Sequence, residues 1–150
     1  MRKTIALLIL FTLFFATSCS RGISPTEVLT RLCKTYPIDA TVYSSLASPQ
    51  DEGYIDEQML TMLFGLSDPS GIEIAFVSYG DVGTVREIGI FSARGSEERM
   101  YLFELASDRI SFLSTFVDGE GFVKKYRGVI AYGFVDDAIA LQKALDALLG

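Results

Sequence analysis

The residues of this chain that could do chemistry are mostly acids in pairs. Asp51-Glu52, Asp56-Glu57, Asp118-Gly119-Glu120 and Asp136-Asp137 each bring two carboxylates close along the chain. Paired carboxylates can hold calcium or exchange protons with a substrate. None of these pairs continues into the alternating oxygen ligands and distal Glu of a calcium loop. Asp56-Glu57 and Asp136-Asp137 fall where helices are expected to begin, and acids there serve as caps for free backbone N–H groups. Helix capping and solvated loops therefore account for the acids. The chain has no histidine, which excludes Ser-His-Asp and Cys-His catalysis and any zinc or copper site built on imidazole. It also removes the side chain that most often moves protons near neutral pH. No catalytic residue, no metal ligand and no cofactor is expected.

The glycines and aromatics offer a different possibility. Gly80-Asp81-Val82-Gly83 lies between two strand-like runs and reads as a turn, not as a phosphate-cradling loop that leads into a helix. Gly89 and Gly133 fall inside strand-like runs, where glycine costs stability unless it permits a bulge or the close approach of another group. Tyr79, Phe91, Tyr132 and Phe134 alternate around them. On an open sheet face, Tyr79, Phe91 and Tyr132 would line an apolar groove with hydroxyls at its rim. Otherwise they are core beneath helices. Lys124-Lys125 beside Arg127 reads as a solvated strand edge that discourages aggregation.

The elements that must position these groups follow from periodicity. Pro25 suits the first turn of a helix capped by Ser24, and Val28, Leu29, Leu32 and Cys33 share one face through Thr35. Residues Ala40 to Gly53, rich in Ser, Ala and Pro, read as loop. Asp56 to Gly65 reads as a second short helix with Met59, Leu60, Leu63 and Phe64 as its stripe and Gly65 as its stop. Ile72 to Tyr79 and Val85 to Ala93 alternate as strands. Ser96 opens the longest helix, in which Leu102, Leu105, Ala106, Ile110, Leu113 and Phe116 recur at helical spacing. Gly121 to Tyr126 and Val129 to Val135 form a second strand pair around Arg127-Gly128. Asp136 and Asp137 start a final helix with Ala138, Leu141, Leu145 and Leu148 inward. The expected fold is α+β: strand-strand-helix twice over, making a four-stranded, mostly antiparallel sheet with two long helices laid on one face. Two short N-terminal helices precede it and cover an edge or the other face.

Length and charge bound the rest. A chain of 150 residues, 49% hydrophobic and 21% charged, has room for one domain and the composition to fold it. The formal charge is −6. Without a leader that carries Arg2 and Lys3, 11 basic residues face 19 acidic ones, a net −8. Such a domain is repelled by nucleic acid and by anionic lipid heads, so no nucleic acid partner and no charge-driven membrane binding is expected.

Residues 1–18 read as an export signal. Arg2 and Lys3 form a positive start, and Thr4 to Phe15 is an apolar run of 12 residues, too short for an ordinary transmembrane helix. The small residues Ala16, Thr17 and Ser18 lead to Cys19. Ala16-Thr17-Ser18-Cys19 resembles the lipobox of bacterial lipoproteins, with Ala16 where that pattern has Leu. The resemblance implies a diacylglyceryl group on the Cys19 thiol and cleavage just before it. Cleavage without lipid, giving a secreted chain, and an uncleaved leader are the alternatives. Residues 19–25 are then a lipidated tether, and 26–150 a single domain. With Cys19 acylated, Cys33 has no partner for an intrachain disulfide, and its place on an apolar helix face suits a small buried hydrophobe.

The chain also resembles, over about residues 54 to 149, a family of small lipoproteins from Gram-positive bacteria known only as a domain of unknown function. The resemblance is carried by Asp56-Glu57-Gln58-Met59-Leu60, Leu63-Phe64-Gly65-Leu66, the strand Arg86-Glu87-Ile88-Gly89-Ile90-Phe91, and the helix start Asp136-Asp137-Ala138. It implies lipidation, this fold and a Gram-positive setting, and no activity or site residue. The expected function is a membrane-anchored, extracytoplasmic, non-catalytic module that meets a protein, peptide or small apolar ligand in the cell envelope. A hydrolase working by carboxylates alone, with two acids roughly 5–9.5 Å apart across a cleft, and a purely structural envelope component are the alternatives.

Overall fold

The computed structural model describes residues 22–150. The expected leader and Cys19 lie outside the described residues. Helix α1 (Pro25–Thr35) begins with its proline in the first turn. Ser24 occupies the cap position, but its side chain makes no capping bond. Helix α2 (Glu57–Phe64) is capped by the Asp56 side chain, which accepts from the Met59 N–H at 2.7 Å, and it stops at Gly65 in the left-handed region, φ 67°. Both ends follow directly from residue type.

Five strands, not four, make the sheet. β1 (Val42–Ser44), β2 (Ile72–Tyr79), β3 (Arg86–Ala93), β4 (Glu120–Tyr126) and β5 (Val129–Val135) are arranged in the order β1-β2-β3-β5-β4, all neighbours antiparallel. The extra strand corrects the loop expected over residues 40–53. At three residues it is too short to show alternation. It is held by tertiary partners: Tyr43 stacks on Phe76 with ring centroids 5.2 Å apart, and the buried Ser44 hydroxyl lies 2.6 Å from that of Thr26. Helices α3 (Ser96–Ser114) and α4 (Ala138–Leu149) complete the order, α4 capped by Asp137 on the Ala140 N–H at 2.8 Å.

The two long helices lie on opposite faces, a second correction. On one face α1 and α4 cover Ala75, Val77, Ile88, Ile90, Val129, Ala131 and Val135 with Val28, Leu29, Leu32, Ala138, Leu141 and Leu145. On the other, α2 and α3 cover Ile74, Phe76, Phe91, Ile130 and Tyr132 with Leu60, Phe64, Leu102, Leu105 and Ala106. The physical reason is in β5, every residue of which is buried. A strand apolar on both sides needs cover on both sides, and the result is a three-layer helix–sheet–helix domain. Ile23 also packs against the aliphatic face, so part of the expected tether is held down.

The strand directions give the domain two ends. Gly22 and Ile23 enter beside the start of β2, the end of β3, the first turns of α3, the β4–β5 turn and the end of α4. The far end carries the β2–β3 turn, the end of α3 and the start of α4. The 19 residues of α3 separate the two ends by about 28 Å at 1.5 Å per residue.

Candidate functional site

The three aromatics expected to share an open groove do not. Phe91 and Tyr132 are fully buried under α2 and α3, their rings 5.3 Å apart, with Phe64 set edge-on to Phe91. Tyr79 lies on the opposite face, half-buried against the aliphatic core. Odd and even positions of β2 point to opposite faces, which places Tyr79 with Ala75 and Val77 and away from Phe91. Burial, with the charges of neighbouring Tyr36 and Asp136, pushes the Tyr79 hydroxyl up to about 12. The aromatic groove is therefore replaced by core.

Most of the paired acids are absorbed locally. Asp56 and Asp137 cap helices, Asp51 accepts from the Ser48 N–H, Glu120 from the Ala138 N–H, and Asp136 pairs with Arg86. Cys33 sits half-buried beside the aliphatic core, and burial raises its thiol pKa. Asp146 takes hydrogen bonds from Lys124 and Tyr126, which hold its carboxyl below the usual range. Among the described residues no group of three or more His, Cys, Asp or Glu could hold a metal ion, and no helix is long and apolar enough to cross a membrane.

One polar constellation was not anticipated. Glu87, only 1% exposed, sits on β3 in the face that also carries Gly89 and Phe91. Arg109 of α3 grips it with two bonds, Nε to Oε1 at 2.8 Å and Nη2 to Oε2 at 2.7 Å. The Tyr132 hydroxyl donates to Glu87 Oε1 at 2.6 Å. Arg109 also donates to the Leu63 carbonyl at the end of α2, 3.1 Å away, and lies over the rings of Phe64 and Phe112. Burial opposes the charge on Arg109, but the Glu87 hydrogen bonds and charge outweigh it and raise the guanidinium pKa. Burial first, then the Glu87 charge, keeps Tyr132 protonated far into alkali. Every donor has a partner and neither cleft reaches the network, so its chemistry is to fasten α2 and α3 to the sheet. Two signals in the sequence point to it: an acid at an inward position of an apolar strand, and Arg109 three residues after Ala106 within an apolar helical stripe.

Gly89 belongs to this arrangement. A Cβ there would run into the Tyr132 ring. The glycine is thus the space that lets a tyrosine lie flat across its neighbour strand and reach Glu87.

Two features remain open to solvent. At the far end Phe112 and Phe116 pair with centroids 5.0 Å apart while 54% and 69% exposed. At the near end a cleft of about 890 Å³ is lined by Gly22, Ile23, Ile72, Glu73, Arg94 and Arg99 among others, and a smaller one of about 230 Å³ lies between Ile23, Glu27, Arg31 and Leu148.

No family model matches the chain. No curated protein and no solved structure is similar enough to count as a match.

Proposed function

We propose that this protein is an extracytoplasmic lipoprotein, held to the membrane through Cys19, that works without catalysis as an interaction module for a protein partner in the cell envelope, and that it belongs with the Gram-positive lipoproteins it resembles. The observation that carries the reading is the polarity of the domain. The chain enters at one end, and the exposed aromatic pair Phe112–Phe116 lies at the other, about 28 Å along α3. Tethering by the near end turns the far end away from the lipid, toward other envelope proteins. Two large rings held together in water are costly to leave exposed and are the kind of anchor that dominates protein interfaces. A carboxylate hydrolase is less well supported, because each cleft is lined by a single acid, Glu73 in one and Glu27 in the other.

The anchoring half is tested by mass spectrometry of the protein from cells. A diacylglyceryl thioether on a new N-terminal Cys19 is expected, and an intact leader on cytosolic protein would sink it. The partner half is tested with a photoreactive residue at position 116 or, as control, at the exposed Lys143 of α4 in intact cells. Adducts to one protein species from position 116 alone are expected. Equal adducts from both positions, or none from 116, would defeat the interface.

A further inference from the structure

Beyond the anchor itself, we infer that the near-end cleft is a binding site for a glycerophospholipid headgroup, an inference that rests on the reading of Cys19 as the lipid-bearing residue. The cleft has room for such a ligand, with a volume of about 890 Å³ and walls contributed by both polar and apolar side chains. Arg94, just past the end of β3, and Arg99, in the first turns of α3, both line it, and neither is among the ion pairs of the described residues, which use Arg86, Arg109 and Lys124. Guanidinium groups suit a phosphodiester, offering planar pairs of N–H donors to its oxygens. Glu73 faces the same space with Ser92, whose hydroxyl lies 3.4 Å from a Glu73 oxygen. That pair accepts from and donates to the hydroxyls of a glycerol headgroup, and Ile23 and Ile72 offer apolar surface to the first carbons of the acyl chains.

Position argues for this occupant over any other. Gly22 forms part of the cleft wall and stands three residues from Cys19, a stretch of chain that can span no more than ~11 Å. With Cys19 acylated, the cleft is held at headgroup depth, where lipid phosphate is the prevalent anion. The acid balance of the chain is no obstacle. Within the cleft Glu73 offsets only one of the two guanidinium groups of Arg94 and Arg99, which leaves one positive charge for a phosphodiester. Binding is by fitted contacts, and the tether supplies an effective lipid concentration on the order of millimolar. The consequence is orientation: the bound headgroup sets the near end flat on the bilayer and aims the far end outward.

The test uses the chain from residue 19 onward with Cys19→Ser, so that no acyl chain is present. Among the described residues both cores are built from Ile23 onward, so the tested chain keeps all of them. Dihexanoyl phosphatidylglycerol, below its micelle concentration, is titrated while backbone amide resonances are followed. Shifts confined to residues 71–73, 92–99 and 128 are expected, and Arg94→Ser with Arg99→Ser weakens binding by about tenfold or more. Both arginines lie at the surface, so an unchanged spectrum elsewhere certifies the fold. A Lys143→Ser control binds as the parent does. Shifts elsewhere or none at all, equal affinity in the double variant, or glycerol phosphate binding as tightly as the lipid would each overturn the inference, the last by making a soluble phosphate the ligand. Because the protein carries no lipid here, these outcomes are independent of whether Cys19 is acylated in cells.

Discussion

The two faces of the sheet are covered by different means. The face under α1 and α4 is almost wholly aliphatic, built from Val, Leu, Ile and Ala in contact. The face under α2 and α3 is aromatic, with Phe64, Phe76, Phe91 and Tyr132 in ring contact, and is crossed by the buried Glu87–Arg109–Tyr132 network. Aliphatic cores tolerate rearrangement as long as volume is kept. A bidentate ion pair permits one geometry only. The first face thus supplies burial, and the second adds a lock that sets α3 at one position along the sheet and ties α2 to it through the Leu63 carbonyl. The same lock holds Phe112 beside Arg109, so the exposed patch at the far end is positioned by the buried one.

Taking one partner out of the lock does the most damage. Arg109→Ala leaves Glu87 buried without its counter-charge and is expected to cost about 3–5 kcal/mol in urea unfolding. Replacing all three members together, Glu87→Leu with Arg109→Met and Tyr132→Phe, is expected to be near neutral or stabilising. If the triple variant is as unstable as the single one, the network contributes burial energy and is not chiefly a positional lock. On the aliphatic face, Leu29→Ala or Leu141→Ala is expected to cost about 2–5 kcal/mol through lost burial and a residual cavity. Neither should alter the environment of Phe112 in aromatic proton spectra, whereas the triple variant should.

The two strand glycines differ in how far their neighbours can yield. Gly89→Ala drives a methyl into the Tyr132 ring, which its bond to Glu87 keeps from moving, for an expected ~1–3 kcal/mol. On the aliphatic face Gly133→Ala meets a Leu141 methyl carbon at 2.6 Å and the edge of Phe122, also at 2.6 Å. The Leu141 tip and the part-exposed Phe122 give more readily, so this variant is expected to be the milder of the two by thermal unfolding. The reverse order would mean that the lock is the softer side.

The smallest effect is on pH dependence. The Tyr79 hydroxyl ionises at about 12 in the folded chain, because burial on the aliphatic face disfavours the phenolate. Its ordinary value is about 10. The folded state therefore prefers the protonated form. That contribution to stability is full below pH 10 and is lost as pH rises from 10 through 12. Tyr79→Phe is expected to flatten this alkaline loss in the urea midpoint. An unchanged slope would show that Tyr79 is as solvated as in the unfolded chain.

Local rules account for much of this molecule. Asp56, Gly65 and Asp137 mark helix ends by their own hydrogen-bonding and conformational preferences, and the alternation in β2 and β3 and the spacing in α3 report which side chains turn inward. That Phe91, Tyr132 and Glu87 share one face is already implied by odd and even positions and the pairing of β3 with β5. What period and propensity could not decide is which layer covers which face. An apolar strand such as β5 demands cover on both sides but does not say by which helix, and three residues at Val42–Ser44 become a strand only because Phe76 and Thr26 are there to receive them. Tyr79 and Tyr132 look alike along the chain, yet one meets aliphatic core and the other a carboxylate. The missing information is in contacts between residues 18 to 46 positions apart, whose energies exist only once the chain has closed on itself.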